Sequence, residues 1–181
     1  MNNKWKIVPK KTIYSSKFFK IVEQEITFPN QKKKIHDVVE RKSTVTIFPV
    51  TPSYDLYLIS QYRTLFGKYV IEAISGHIDK NELPLNAAKR ELKEEAGLIG
   101  HEWKEIGRIE NSGSVIKSMM HLFLVRDLEE GKASPDETED ITLLKISLDE
   151  AVKKVMLGEI NISSSVIGIL FLDKMRRERK L

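Results

Sequence analysis

Three glutamates lie within five residues near the middle of this sequence. Glu91, Glu94 and Glu95 stand in a stretch of helix-forming residues between Gly76 and Gly97. At about 100° per residue, their side chains would fall within an arc of about 100° on a helix, so three carboxylates would point the same way. Such carboxylates repel one another unless a cation lies among them, and Mg²⁺ favours oxygen ligands together with substrate phosphates. The spacing therefore predicts a metal-binding helix suited to phosphate chemistry.

The same spacing has a simpler interpretation. Arg90 and Lys93 lie among the glutamates, and a run of mixed charges is most often a solvated helix face with intrahelical ion pairs. On spacing alone, both interpretations stay open.

The flanking residues predict where this helix lies. Pro84 suits the first turn, where its missing N–H costs nothing, and Gly97 suits the left-handed position just past the end. Leu85, Ala88 and Leu92 fall on the face next to the carboxylates, where they can anchor the helix to a core. The helix is thus expected between Pro84 and Gly97.

The order of the residues resembles a known motif. Gly76, Glu82 and the run RELKEEAGL at residues 90–98 match the Nudix box at every defined position. The resemblance implies the α/β (α+β) fold class, as a Nudix-type α-β-α sandwich around a mixed sheet. It also implies a pyrophosphohydrolase that depends on Mg²⁺, with Mn²⁺ as the alternative ion. Function then depends on whether the structural context of the motif is present.

Segments outside the box resemble one branch of that family, the ADP-ribose pyrophosphatases and nucleoside-diphosphate-sugar hydrolases. The matching segments are Gln61-Tyr62-Arg63, Glu72, residues 76–79, residues 121–124 and the acidic loop 136–139. The implied substrate is an ADP-ribose-like nucleoside diphosphate linked to a sugar, which would give AMP and a sugar phosphate. Two departures, Ile74-Ser75 before the box and Ser112-Gly113 after it, leave another nucleotide sugar or another diphosphate open.

The resemblance implies roles for the acidic residues of the box. Glu91 and Glu95, one helical turn apart, are the expected metal ligands, and the backbone carbonyl of Ser75 is a third. Glu94 would assist catalysis or bind a second ion. Glu82 and Arg90 would orient these carboxylates.

Further residues would serve the substrate and the attacking water. Arg63 is expected to bind the phosphates, because a guanidinium binds them bidentately, although an ordinary surface ion pair is the alternative. Glu40 is a weaker candidate for substrate contact, from similarity to the same branch. The general base is expected to be Glu139, or else Glu137, on the loop that the resemblance brings over the site. A solvated acidic turn is the alternative there.

Length and composition limit the class of protein and the chemistry that it can perform. The chain has 181 residues, 41% hydrophobic and 31% charged, which suits a soluble globular protein of one domain, with or without a small appendage. It has no cysteine, so disulfides, thiolate catalysis and zinc fingers are excluded. No signal peptide or membrane span is apparent, and a cytoplasmic protein is expected. The net charge of +4 reflects a lysine-rich first segment. These lysines are expected to lie on a solvent-exposed surface, and nucleic acid is not expected as a partner.

The hydrophobic pattern divides the chain into a short β segment and a larger domain. Residues 1–42 are predicted to form a small antiparallel sheet, and residues 43–181 the Nudix domain. Strands are predicted at residues 12–14, 18–27, 35–40, 45–50, 56–62, 69–74, 103–109, 119–125 and 141–146, and further helices at residues 148–157 and 163–176. The resemblance implies a homodimer in which the N-terminal sheet packs against the partner and helps to shape the pocket.

Two other functions remain open on the sequence. One is a Nudix-fold regulator that binds a nucleotide without cleaving it. The other is a Nudix enzyme acting on capped RNA ends, whose binding would weaken steeply with salt.

Overall fold

The described part of the chain, residues 4–134 and 140–181 of a computed structural model, contains strands and helices in a mixed order. The elements are β1 (Lys6–Ser15), β2 (Phe19–Thr27), β3 (Lys33–Arg41), β4 (Thr44–Pro49), β5 (Asp55–Arg63), β6 (Lys68–Glu72), β7 (Ile74–His77), α1 (Pro84–Ala96), β8 (Leu98–Glu110), β9 (Ile116–Lys117), β10 (Met119–Glu130), β11 (Ile141–Ser147), α2 (Leu148–Met156) and α3 (Ser163–Arg177).

The chain divides into two compact units. The first consists of Met1–Ser43 with Glu110–Met119, and the second of Thr44–Ile109 with Met120–Leu181. The sequence predicted a division after residue 42 but did not assign residues 110–119 to the first unit. They belong there because β9 pairs with β3, and a two-residue strand has too little hydrophobic pattern to be predicted.

The first unit is a four-stranded sheet in the order β1-β2-β3-β9. The first three strands are antiparallel, as predicted, and β9 pairs with β3 in parallel. In the register of this sheet Val22 lies between Thr12 and Val38. Strand β1 is longer than the predicted residues 12–14, because its pairing with β2 continues through Pro9 to Lys6 with two register shifts.

The second unit is a three-layer α-β-α sandwich, which confirms the predicted fold. Its sheets have the orders β7-β4-β10-β8 and β11-β5-β6, with β4 parallel to β10 and antiparallel to β7. Ile47 and Phe48 are neighbours on β4, so they point to opposite faces. Ile47 packs in a cluster with the buried residues of α1, and Phe48 packs in a cluster with residues of α2 and α3. Helix α1 therefore covers one face, and the other two helices cover the opposite face.

A buried hydrogen bond fixes the point where the chain passes from one sheet to the other. Ala73 lies between β6 and β7, and its backbone N–H donates to Ser165 Oγ of α3 at 2.9 Å. Ser165 is fully buried. Since Ser75 and Gly76 follow directly on β7, this contact positions the strand that leads into the box.

Helix α1 has the predicted bounds. It begins at Pro84 after Leu83, which provides no side-chain cap, and ends at Gly97, whose φ of 64° lies in the left-handed region. Ala88 and Leu92 are buried as expected, but Leu85 is exposed and the prediction for it was wrong. Leu85 lies in the first turn, where it lines an open groove instead of the core.

Over the described residues, no helix combines the length and the apolar character that crossing a membrane would require. The cytoplasmic location stays a prediction.

Candidate active site

Glu91 of α1 lies directly against strand β7 at Gly76. A Cβ atom at position 76 would lie 1.9 Å from both Cδ and Oε1 of Glu91, so the Glu91 carboxylate would have to move away from β7. Glycine at position 76 therefore lets the carboxylate lie in the space beside the backbone. The first glycine of the box is explained by this close approach, not by a turn.

Glu95 lies one turn further along α1 and also reaches β7. Its Oε2 accepts a hydrogen bond from the backbone N–H of Ser75 at 3.2 Å, and the residue is only 6% exposed. Burying a carboxylate is costly unless it is hydrogen-bonded or charge-compensated. The structure thus brings three predicted metal-site residues together at β7: Ser75, Glu91 and Glu95.

Arg90 joins the remaining charged residues of the box. Its Nε and Nη2 donate to the two oxygens of Glu82, each at 3.1 Å. Its Nη1 donates to Glu91 Oε1 at 2.7 Å and to Glu94 Oε2 at 3.0 Å. A further bond from Nη2 to the carbonyl of His77, at 3.0 Å, ties this network to the end of β7. The orienting role predicted for Arg90 is consistent with these contacts.

The charges of this network reinforce one another. The hydrogen bond from Arg90 lowers the pKa of the Glu82 carboxyl, and a bond from the backbone N–H of Asp79 lowers it further. In turn, the bond to Glu82 raises the pKa of the Arg90 guanidinium against the effect of burial. Both groups are therefore charged across the physiological range.

The two interpretations of the acidic helix each describe part of it. Arg90 and Glu94 form the i,i+4 ion pair that a solvated charged face would contain, and the Glu94 side chain is 42% exposed. Glu95 is buried and Glu91 has 12% of its side chain exposed, which a solvated face does not explain. The helix therefore combines a surface ion pair with two carboxylates held against a strand.

The donors suit a hard divalent cation. The Glu91 and Glu95 carboxylates and the carbonyl of Ser75 are oxygen ligands, the kind that Mg²⁺ prefers, and the missing Cβ of Gly76 leaves room for the Glu91 carboxylate beside β7. Within residues 4–134 and 140–181, however, no three acidic or histidine side chains converge closely enough to hold an ion by themselves. Arg90 contacts both Glu91 and Glu94, so a carbonyl or a ligand phosphate would have to complete the coordination.

Arg63 at the end of β5 contacts a buried partner. Its Nε donates to Glu72 Oε1 at 2.7 Å, and only 3% of the Glu72 side chain is exposed, against 37% for Arg63. The pair is therefore not an ordinary surface ion pair. The predicted role in phosphate binding stays a prediction.

Glu40 lies in the first unit, at the end of β3. It pairs with Lys20 at 2.7 Å and with Lys117 at 3.1 Å, and these lysines lower the pKa of its carboxyl. It lines two cavities of the first unit, of about 350 and 320 Å³. Its contact with substrate stays a prediction.

Glu137 and Glu139, the candidate general bases, lie outside the described residues. The flanking residues are held within the second unit: Ser134 N–H donates to the Glu94 carbonyl at 2.9 Å, and Asp140 accepts a hydrogen bond from the Tyr69 hydroxyl.

Sequence reasoning missed the residues that support the site from a distance. Ser165 and Tyr69 each make a contact that spans more than 70 residues, and no local pattern marks either of them. His121 Nδ1 also lies 2.7 Å from Glu105 Oε1 on the neighbouring strand.

Both the sequence and the fold are similar to those of known proteins. The family model described as NUDIX domain matches residues 40–163. An ADP-ribose pyrophosphatase of Bacillus subtilis (strain 168) is 26% identical over 170 residues, which cover 93% of this chain and 92% of that protein. A methanol dehydrogenase activator of Bacillus methanolicus is 26% identical over the same shares of both chains. The fold also matches a crystal structure of ADP compounds hydrolase, with a TM-score of 0.83, 20% identity and coverage of 98% and 97%.

Proposed function

The chain belongs to the Nudix family, as a pyrophosphohydrolase, and from that premise we propose that it hydrolyses a nucleoside diphosphate linked to a sugar. An ADP-ribose-like substrate would give AMP and a sugar phosphate. The observation that carries the proposal is the packing of Glu91 and Glu95 against β7 at Gly76 and Ser75. The Bacillus subtilis relative, named as an ADP-ribose pyrophosphatase, supports the substrate class.

A divalent cation, Mg²⁺ or alternatively Mn²⁺, would be held by the Glu91 and Glu95 carboxylates and the Ser75 carbonyl. When bound it would neutralise charge on the diphosphate, which otherwise repels an attacking nucleophile. The oxygen donors and the space left by Gly76 support this assignment.

The residues of the chain have separate tasks in this proposal. Arg63 binds the phosphate oxygens, while Arg90 and Glu82 hold the box carboxylates in place. A carboxylate removes the proton from the attacking water, with Glu139 or else Glu137 as the candidate, while Glu94 assists or binds a second ion. The water oxygen bonds to one phosphorus, and the bridging oxygen leaves with the other phosphoryl group.

We further propose that the first unit mediates a homodimer. Its sheet exposes large apolar side chains on β1 and the neighbouring segments. They include Trp5, Ile7, Ile13, Tyr14, Phe18 and Ile35, each at least half exposed. Exposed apolar surface of this extent marks an interaction site more often than solvent contact.

One relative supports a second candidate. The Bacillus methanolicus protein is named as an activator of another enzyme, and it matches this chain as closely in identity and coverage as the pyrophosphatase does. A regulator that binds a nucleotide is therefore the alternative function.

A panel assay separates the candidates. The wild-type chain is incubated with ADP-ribose, other nucleoside-diphosphate sugars and capped RNA, in Mg²⁺, in Mn²⁺ and in EDTA, and released nucleoside monophosphate is measured. We expect release from one or more nucleotide sugars in either ion and none in EDTA. Binding without release would favour the regulator, and release from RNA alone, with steep salt dependence, would favour the capped-end enzyme.

A matched pair of variants tests the site assignment in the same assay. Glu95→Gln keeps the shape of the side chain but removes the charge, and we expect turnover to fall by about 1,000-fold or more. Glu129→Gln changes an exposed glutamate and should leave turnover unchanged. Wild-type rates in Glu95→Gln would refute the metal site.

A further inference from the structure

The β5–β6 hairpin carries a polar cluster on one face of its sheet. In the antiparallel register Ile59 lies opposite Glu72, and Arg63 lies opposite Lys68. Directly opposite residues point to the same face, and Ile59 packs in the cluster that contains the buried residues of α1. Glu72 and Arg63 therefore lie on the face that α1 covers, which is the helix that carries the box.

Stability does not explain a carboxylate at position 72. Glu72 is 2% exposed, and a buried ion pair usually contributes little net stability because desolvation offsets the attraction. Replacement of both members of such a pair by apolar residues is often neutral or stabilising. The carboxylate instead fixes the side chain that it contacts.

That side chain is the guanidinium of Arg63. The bond from Nε to Glu72 Oε1 is 2.7 Å long, within the range of charge-assisted hydrogen bonds. Because the guanidinium is planar, a short bond at Nε restricts the orientation of the whole group, including the two terminal nitrogens that can donate to a phosphate. An arginine held in this way loses less side-chain entropy when it binds a phosphate.

A second observation marks the same face. Gln61 lies between Ile59 and Arg63 along β5, and it is only 5% exposed. Its Oε1 is, in the described part of the chain, the buried side-chain atom that has no hydrogen-bond partner. An unpaired buried acceptor of this kind is costly, so an ordered water, an ion or a ligand is expected to bond to it.

We propose that Glu72 is a positioning residue that orients Arg63 toward the diphosphate of the substrate. The proposal rests on the proposed function and names the residue that makes its phosphate-binding arginine effective. Glu72 does not touch the substrate. It acts only through Arg63, and this distinguishes it from a residue with a role of its own in catalysis.

A double-mutant cycle tests this dependence without turnover. The affinity for inorganic pyrophosphate in the presence of Mg²⁺ is measured by calorimetry for the wild type, Arg63→Ala, Glu72→Leu and the double variant. We expect the affinity to fall about 30-fold in Arg63→Ala and about 10-fold in Glu72→Leu, the range of one charge-assisted bond. The double variant should match Arg63→Ala alone, because Glu72 then has nothing to orient. Losses that multiply to about 300-fold would overturn the proposal.

Two further variants keep the test decisive. Glu72→Gln retains an acceptor for Nε, and we expect a loss of about threefold that also disappears in the Arg63→Ala background. It replaces Glu72→Leu in the cycle if that variant does not fold. Asp173→Asn removes another buried partner of arginines, on α3. It should lower the melting temperature without changing pyrophosphate affinity.

The cycle and the panel assay fail in different ways. A wild-type chain that binds pyrophosphate no better than Arg63→Ala overturns this inference, whatever the panel assay gives. A wild type that shows the expected coupling but hydrolyses nothing in the panel contradicts the proposed function and leaves the positioning role in anion binding supported. In an active enzyme, Glu72→Leu should raise KM for the nucleotide sugar more than it lowers kcat.

Discussion

The two units of the chain differ in how far their large apolar side chains are buried. The second unit buries large side chains on both faces of its sheets, with Ile47 and Phe48 fully inaccessible. In the described part of the first unit, Val22 and Val38 are the hydrophobic residues that reach the buried class. Small sheets need one covered face to be stable. The second unit therefore supplies its own core, whereas the sheet of the first unit leaves several of its large apolar side chains exposed, as the proposed dimer would require.

The acidic residues differ in the same way. The second unit buries Glu72 and Glu95, although burial of a carboxylate is costly. In the first unit, Glu25 and Glu40 pair with lysines at the surface. Costly burial is tolerated where a group must be held in one position, and two of the buried carboxylates, Glu72 and Glu95, contact residues of the proposed site. This difference agrees with the proposals that the second unit carries the chemistry and that the first unit mediates the dimer.

The strongest test of this comparison is Gly76→Ala. The new Cβ would overlap the Glu91 carboxylate, so the carboxylate must move, and a displacement of about 1 Å near the reacting groups costs about 100-fold in rate. We expect kcat to fall by that factor or more, together with a lower melting temperature. The double variant Gly76→Ala/Glu91→Ala should regain the melting temperature but not the rate. Full activity in Gly76→Ala would show that this packing is unimportant.

A charge on the first unit tests its role in assembly. Ile7 is 59% exposed on β1, and Ile7→Lys places a cation where an apolar contact is proposed. We expect the dimer dissociation constant, measured by analytical ultracentrifugation, to rise by about 10-fold, the value of one buried apolar side chain. Met156→Lys changes a similarly exposed residue of the second unit and serves as the control. A wild type that sediments as a monomer would remove the proposed dimer.

The smallest expected effect concerns acid stability within the second unit. Hydrogen bonds from Arg108, and then from His121, lower the pKa of the Glu105 carboxyl to about 2. Because the folded pKa is depressed, the stabilisation is complete above the unfolded pKa of about 4.3 and is lost as the pH falls from there toward about 2.

The variant Glu105→Gln cannot titrate, so its free energy of unfolding should decline less than that of the wild type across this interval. The difference should be about 1–2 kcal/mol, since part of the shift is screened by solvent. Urea unfolding at several pH values measures it, with Glu102→Gln, an exposed change on the same strand, as the control. Parallel declines in the wild type and Glu105→Gln would contradict the assignment.

Local sequence patterns were enough to predict much of the second unit. The bounds of α1 follow from Pro84 and Gly97, because the conformational limits of these residues act within one turn. The box itself identified the family, and the family identified the α-β-α fold. Leu85 was predicted wrongly because periodicity gives a helix face but not the place where the neighbouring sheet ends.

Contacts between distant segments could not be predicted. Ser165 lies 92 residues from Ala73, and β9 joins the first unit from a position after β8. The sequence around a helical serine is the same whether or not a distant backbone N–H bonds to its hydroxyl. The sequence of a two-residue strand likewise does not show which strand it pairs with. Their roles depend on which segments meet, and that is a property of the whole fold.

The sequence by itself determined which side chains could hold a cation and that they lie on one helix. Helix periodicity depends on neighbouring residues, and the affinity of a carboxylate for cations is a property of the side chain itself. Both can therefore be predicted without knowledge of the fold. Only the tertiary structure decided that Glu91 fills the space of an absent Cβ, that Glu95 reaches the backbone of Ser75, and that Glu72 orients Arg63. These depend on distances between strands and helices, which are set when the core packs and not by the order of residues alone.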